Sequence, residues 1–373
     1  MVKIAHLTSA HPRYDVRIFV KECSSLAKNE EYAVTLIVAD GKGNEVKNGV
    51  EIVDVGAKEG GRIARMTKTV QKVYLRAKEL DSDIYHLHDP ELLPVGLKLK
   101  KLGKKVIFDA HEDVPKQILG KPYLNRYAKG AISKIFSLFE SYACKKFDYI
   151  VAATPYIRDK FLKINSNTID INNFPILEEF NIESSWEQKK NSVCYVGGIS
   201  EVRGIKEMVK AMELVGDIRL VLAGLFNQKE LEEEVKGYKG WQKVNELGFI
   251  DREEIANLYA QSKAGLVTLR PIVNYLDALP IKMFEYMAAG LPVIASNFPL
   301  WREIVDGNSC GICVDPLNPK EIANAIEYLV SHPQEAKEMG KNGKKAVLQK
   351  YNWAREEQKL LGVYEAVIHG GKR

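Results

Sequence analysis

Short, continuous runs of apolar residues alternate along this chain with stretches whose apolar positions recur every three or four residues. The runs predict strands at residues 3–7, 34–38, 50–53, 84–87, 106–109, 149–152 and 168–171. Most are separated by helix-period stretches. Strands that are apolar on both faces belong to a parallel sheet covered by helices on both sides. Around Asn172-Asn173-Phe174-Pro175 the pattern stops, and residues 174–191 are polar, charged and without period. A linker is expected there. The pattern then restarts, with strands predicted at 192–196, 218–223, 244–247, 264–269, 292–296 and 311–314. A last helical stretch is expected to pack back towards the first half. The expected organisation is therefore α/β, with doubly wound domains at 1–173 and 192–351, a linker at 174–191 and a closing helix at 352–373. Ligands of such folds sit at the carboxyl ends of the strands, here the cleft between the domains.

Composition narrows this picture. A chain of 373 residues exceeds one ordinary core, and 46% hydrophobic with 28% charged residues is the balance of a globular protein. No run approaches the ~18 apolar residues of a membrane span, and the N-terminus reads as an opening strand rather than a signal peptide. The expectation is a cytoplasmic protein. Five cysteines, an odd number, predict reduced thiols, and Cys310-x-x-Cys313 lies in a predicted strand with no second pair nearby. Residues 1–180 hold 29 Lys and Arg against 23 Asp and Glu, and the remainder 25 against 26. That mild asymmetry fits an acidic small molecule or an anionic surface and excludes nucleic acid, which calls for a denser basic stripe. Within residues 62–80, Arg65, Lys68, Lys72 and Arg76 recur opposite Ile63, Met66, Val70 and Val73. This is a basic amphipathic stripe suited to the inner face of an anionic membrane. Residues 127–147, with Lys129, Lys134, Lys145 and Lys146, are a second candidate.

The segment 277–303 holds the densest chemistry. Pro280 fits a first helical position, Gly290 a C-terminal cap, and residues 291–295 a buried strand. The helix start is an anion site flanked by Asp277, with Glu285 inside the helix as an acceptor for ligand hydroxyls. Residues 193–206 read as a strand, a Gly197-Gly198 turn and a helix, with Arg203 or Lys206 placed to neutralise a phosphate. Gly224 and the Phe249-Ile250 segment close two further strands and would wall a base and ribose. In the first half, His88 and His111 stand beside acids at strand ends, where an imidazole can meet a sugar hydroxyl. His11 and Arg17 flank Asp15, a helix cap. These His residues with Asp or Glu do not converge as a ligand set in the sequence, so no metal is expected. Asp81-Ser82-Asp83 precedes its strand and is set aside.

Together these residues resemble the GT-B retaining glycosyltransferases of family 4. The family pattern is a Gly-Arg turn, a Gly-rich strand end, then Glu-x7-Glu followed by Ala-x-Gly-x-Pro-Val. The match is most specific over 247–316, while His-Asp-Pro-Glu-Leu at 88–92 and Asp-Ala-His-Glu at 109–112 look like bacterial members that build surface polysaccharides. The resemblance implies two Rossmann-like domains and transfer of a sugar, with retention, from a nucleotide diphosphate donor to a glycan or polyprenyl-linked acceptor. No cofactor or metal is implied. Glu285 would bind the donor ribose, Gly197, Gly198, Gly224, Phe249, Ile250 and Ile281 would line the donor, and Arg203 would meet the diphosphate. His111 and Asp277 would lie beside the reacting sugar. His11, Asp15, Arg17, His88 and Glu112 are the acceptor-side candidates. The chain departs from the family in three places: Gly198 replaces an Arg, Asp277 a Glu, and Pro280 a Gly that offers an N–H. Lys282, on the first helical turn, is the expected replacement for the missing cation. The rivals are a nucleotide-sugar 2-epimerase of the same fold, using Asp109 and Glu112, and a catalytically idle nucleotide-binding protein.

Overall fold

The computed structural model describes residues 1–58, 60–120, 125–180 and 185–370. The chain forms two compact units, residues 1–173 with 354–373, and residues 174–353.

In the first unit, β1 (Val2–Leu7), β2 (Tyr32–Val38), β3 (Glu45–Lys47), β4 (Val50–Asp54), β5 (Ile84–Leu87), β6 (Lys105–Ala110), β7 (Tyr149–Ala152) and β8 (Thr168–Asp170) make one sheet in the order β3-β4-β2-β1-β5-β6-β7-β8. Every pairing is parallel except β3 with β4, where Val46 lies opposite Glu51. The sequence pattern did not predict β3. It is three residues long, largely exposed, and has no apolar run to betray it. Strand order reverses between β1 and β5, where Ile4 pairs with Ile84. Parallel sheets of this type bind ligands at such a reversal. The helix Trp353–His369 enters this unit at residue 354 and buries Tyr364 against the β1 and β5 histidines.

The second unit has β9 (Ser192–Val196), β10 (Arg219–Ala223), β11 (Val244–Gly248), β12 (Ala264–Val267), β13 (Val293–Ser296) and β14 (Gly311–Val314), all parallel, in the order β11-β10-β9-β12-β13-β14. Its reversal falls between β9 and β12. Alternation along β9 explains the two-faced burial: Cys194 and Val196 join the core containing Phe284, Tyr286 and Trp301, while Val193 and Tyr195 join that containing Met208, Ile326 and Leu329. The described residues of the expected linker are not a free tether. Phe174, Phe180 and Trp186 are buried in this unit's cores, each such burial contributing roughly 1.5–3 kcal/mol. Residues 181–184 of the linker and 371–373 of the closing helix lie outside the described part.

Among the described residues no helix is long and apolar enough to cross a membrane. All five cysteines are free thiols; Cys310 is buried and makes weak Sγ contacts to the Ile304 and Val305 carbonyls.

Candidate active site

In the second unit the candidate donor residues gather at the carboxyl ends of β9, β10 and β12. Gly197 follows β9 with φ of +125°, and Gly224 follows β10 with φ of +145°. The two turns touch: a Cβ on Gly224 would stand 2.0 Å from the Gly197 carbonyl oxygen. No larger residue fits there. A Cβ on Gly197 would stand 3.1 Å from Lys282 Nζ, and one on Gly198 3.1 Å from Arg203 Nη1. Both cations therefore border the glycine turn. Arg203 donates to the Gly198 carbonyl at 3.1 Å, and Tyr195 hydroxyl donates to the same oxygen at 2.9 Å.

Lys282 is the anomaly of this unit. Its Nζ is buried, has no hydrogen-bond partner, and sits 3.6 Å from the centroid of the Tyr195 ring. Burial, reinforced by the positive charge of Arg203, pushes its pKa well below the ordinary lysine value, against the pull of Glu285. A buried amine without a partner costs stability, and this one stands beside the glycine turn.

Glu285 is buried and already held. Arg252 Nη1 donates to Oε1 at 2.8 Å and Tyr259 hydroxyl to Oε2 at 3.1 Å. Arg252 also pairs with Glu179. An ionised carboxylate offers about four lone-pair sites, so capacity remains for ligand hydroxyls. Sequence reasoning missed Arg252, Tyr259 and Glu179, because each reaches Glu285 or its partner from a distant segment. Pro280 occupies the N-cap of the helix Ile281–Ala288, not its first helical position, with φ −69° and ψ 122°. Half-buried Asp277 precedes it, on a loop whose Ala278 carbonyl accepts from Trp301 Nε1 at 2.7 Å. Ile281 opens the helix, and Gly290 at φ +71° closes it. Phe249 is exposed while Ile250 packs on the core, so of the pair the Phe249 ring is the freer apolar face. Lys206 is not at the turn; it pairs with Glu234 at 2.8 Å.

In the first unit, the reversal between β1 and β5 holds a buried polar network. Asp89 accepts from Thr8 Oγ1 at 2.9 Å and from the Ser9 amide at 2.6 Å, tying the ends of the two strands together. Asp15 caps the π-helical segment Val16–Cys23 through the amides of Arg17 and Ile18. Although burial opposes it, the hydrogen bond from His11 and the Ile18 amide bring its pKa to about 2. His11 lies 3.3 Å from Asp15 and 3.4 Å from Asp89. Burial disfavours its charge, but the carboxylates of Asp15, Asp89 and Asp109 prevail and raise its pKa.

Asp109 is the hub. It accepts a bidentate pair from Arg17 at 2.7 Å on each oxygen, and a bond from His111 Nε2 at 2.7 Å. Burial works against its charge; Arg17 and His111 overcome this and hold its pKa well below the usual carboxylate range. His111 thus donates from Nε2 to the Asp109 carboxylate, and Nδ1 is its other ring nitrogen. Two acceptor-side candidates sit inside this network. Arg17 and His88 are buried, Arg17 also donating to the Ile171 carbonyl and pairing with Glu22 at 3.2 Å, and His88 bonding to His6 at 2.8 Å. Ion-paired and ligand-facing residues share the same chemistry, so sequence could not separate them. Glu112 is exposed and accepts from Gln117, away from this network.

Ligand atoms of His6, Glu22, His86 and His88 lie within 4.8 Å of one another, as do those of His88, Asp109 and His111. Both groups could hold a metal, a convergence the sequence did not reveal. They also satisfy one another in part: Tyr364 hydroxyl bridges His6 at 3.0 Å and His86 at 2.9 Å. Burial lowers the pKa of His6 and His86, brings that of His88 to about 4, and raises that of Glu22 with help from Asp109.

Comparison with known proteins places both halves of the chain in known families. The family model for glycosyl transferases group 1 matches residues 178–346, and that for glycosyltransferase family 4 matches residues 15–171. An uncharacterized glycosyltransferase of Methanocaldococcus jannaschii is 27% identical over 314 residues, 77% of this chain and 76% of that protein. Spore coat protein SA of Bacillus subtilis is 29% identical over 188 residues, 47% of this chain and 49% of that one. In fold, the chain is similar to sucrose-phosphate synthase from Thermosynechococcus elongatus, with TM-score 0.80 and 19% identity over the whole of both chains. It is also similar to HepE of Anabaena, with TM-score 0.74 and 14% identity over 98% of this chain and 100% of that one. With two family models meeting in one chain and each unit a doubly wound α/β sheet, the protein belongs to the family 4, group 1 glycosyltransferases and is a glycosyltransferase of GT-B fold.

Proposed function

We propose that the protein transfers a sugar, with retention at the anomeric carbon, from a nucleoside diphosphate sugar bound by the second unit to a hydroxyl of a glycan or lipid-linked acceptor. The observation that supports this best is Lys282: a buried, unpartnered amine beside a double-glycine turn and Arg203. A diphosphate supplies the anion these groups lack. Its backbone approach is open only because neither Gly197 nor Gly198 carries a side chain. Glu285 would accept from the ribose hydroxyls, and Phe249 would cover the base.

Charge develops on the diphosphate as the glycosidic bond breaks, and donors fixed in a water-poor site stabilise that charge most effectively. In this reading Arg203 and Lys282 are those donors, in place of a divalent metal. His111, oriented by Asp109, presents Nδ1 to an acceptor or donor hydroxyl. HepE of Anabaena has been crystallised with UDP and with UDP-glucose, which makes UDP-sugars the first donors to try.

The test is incubation of the full chain with UDP-, GDP- and ADP-sugars and membrane or glycan extracts, followed by NMR of the purified product. An axial donor linkage kept axial in the product supports the reading. Inversion refutes retention, and conversion of donor without acceptor would instead indicate epimerisation.

A further inference from the structure

The helix Arg126–Cys144 of the first unit turns an apolar seam outwards. Tyr127, Ile135, Leu138 and Tyr142 are 89%, 68%, 66% and 54% exposed, and Ile132 flanks them at 43%. Spacings of three and four residues place Ala131, Ile135, Leu138 and Tyr142 on one stripe. Ordinary surface helices show the reverse, with the apolar stripe buried. This helix has an inner face as well: Ser133, Glu140, Ala143 and Cys144 are buried. The outer seam is therefore a second apolar face with no partner among the described residues.

The charges beside it have one sign. Lys134, Lys145 and Lys146 are exposed on this helix and at its end, with Lys129 half-buried. Lys146 lies 4.1 Å over the Tyr142 ring and donates to its hydroxyl at 2.6 Å. The one acid within residues 125–147 is Glu140, which faces inwards and pairs with Lys160 at 2.6 Å. The helix itself thus presents no outward acid. At 19 residues the helix is about 28 Å long, enough for a continuous interfacial contact.

The basic stripe expected at residues 62–80 is weaker by comparison. Arg65 is held by Glu91 at 2.7 Å and Arg76 by Glu79 at 3.1 Å. Its neighbours Ile63 and Met66 are nonetheless exposed.

We propose that the outer face of the helix Arg126–Cys144 lies on an anionic bilayer, with Ile135, Leu138 and the Tyr127 and Tyr142 rings at the headgroup boundary and the lysines on acidic headgroups. Exposed apolar side chains supply the insertion, and one-signed cations select the lipid charge. A second copy of the chain is the less favoured occupant, because pairing two such faces would bring lysines against lysines.

Vesicle flotation of the full chain tests this, using phosphatidylcholine alone and phosphatidylcholine mixed with phosphatidylglycerol. Binding is expected only to the mixed vesicles and should weaken with salt. Lys134→Gln and Lys145→Gln should each weaken it about fivefold. Ile135→Asp with Leu138→Asp should abolish it, since each apolar loss costs roughly tenfold or more. All four positions are exposed, so melting temperature should hold. No flotation with anionic vesicles, or unchanged flotation of the Asp double variant, overturns the proposal. So does self-association lost in that variant without any vesicle binding. UDP calorimetry on the same variants keeps this outcome separate from the donor-site reading.

Discussion

Replacing Lys282 with Met should stabilise the ligand-free protein while crippling its response to nucleotide. The perturbation keeps the length and volume of the side chain and removes only the amine. In the free protein that amine is buried without a hydrogen bond, a state that costs about 1–3 kcal/mol. Its placement 3.6 Å from the Tyr195 ring centroid returns part of this, about 0.5–2 kcal/mol when charged. The net gain for Lys282→Met is then about 1 kcal/mol, or about 2–4 °C in the melting of a unit of this size. Binding should move the other way. Loss of a hydrogen bond to a charged diphosphate costs about 1.5–3 kcal/mol, which weakens UDP roughly 10- to 150-fold. A second signature comes from protons. With its pKa depressed in the folded chain, Lys282 binds fewer protons there than when unfolded, so stability rises with pH between the folded and unfolded pKa values. The variant should lack that component. Differential scanning calorimetry with and without UDP, across alkaline pH, reads all three effects. A Lys282→Met protein that is less stable without ligand, or that binds UDP within twofold of wild type, would refute the reasoning.

Four further outcomes follow from the geometry. Asp109→Asn removes the bidentate partner of buried Arg17, leaving it Glu22 at 3.2 Å, and should cost about 3–5 kcal/mol in urea unfolding at neutral pH. Because the Asp109 pKa is depressed, its stabilisation is present above the ordinary Asp value and fades as pH falls through the folded one. Glu22→Gln should be neutral or stabilising at pH 7: burial raises the Glu22 pKa, so this carboxyl loses stability as pH rises above the ordinary Glu value, which the amide avoids. Arg252→Ala removes the 2.8 Å donor to Glu285 and should reduce UDP affinity and lower stability by about 1–3 kcal/mol, checked by calorimetry and urea melts. EDTA should leave turnover within twofold if Arg203 and Lys282 carry the diphosphate charge; a large loss restored by added metal would contradict that assignment.

The strands were legible because both sheets are buried on both faces, and continuous apolar runs such as residues 218–223 have no other easy explanation. β3 was illegible for the opposite reason, being a short exposed edge. At the proposed donor site the sequence exposed what is local: the glycine turn, the helix after Pro280, Glu285 and Lys282. It hid what is distant, such as Arg252 reaching Glu285 across 33 positions. In the first unit it put Arg17 and His88 on the acceptor side, where the structure buries both. A buried bidentate pair and an acceptor-binding arginine use the same residue, and only burial tells them apart.

The most direct test of the whole account is isothermal calorimetry of the wild-type chain with UDP, GDP and ADP and their sugars. The account predicts that at least one nucleoside diphosphate binds with a single site, that Arg203→Ala and Lys282→Met weaken it at least tenfold, and that His111→Ala leaves it unchanged. Absence of binding for all of them at millimolar concentration would contradict the assignment of the second unit as a donor site.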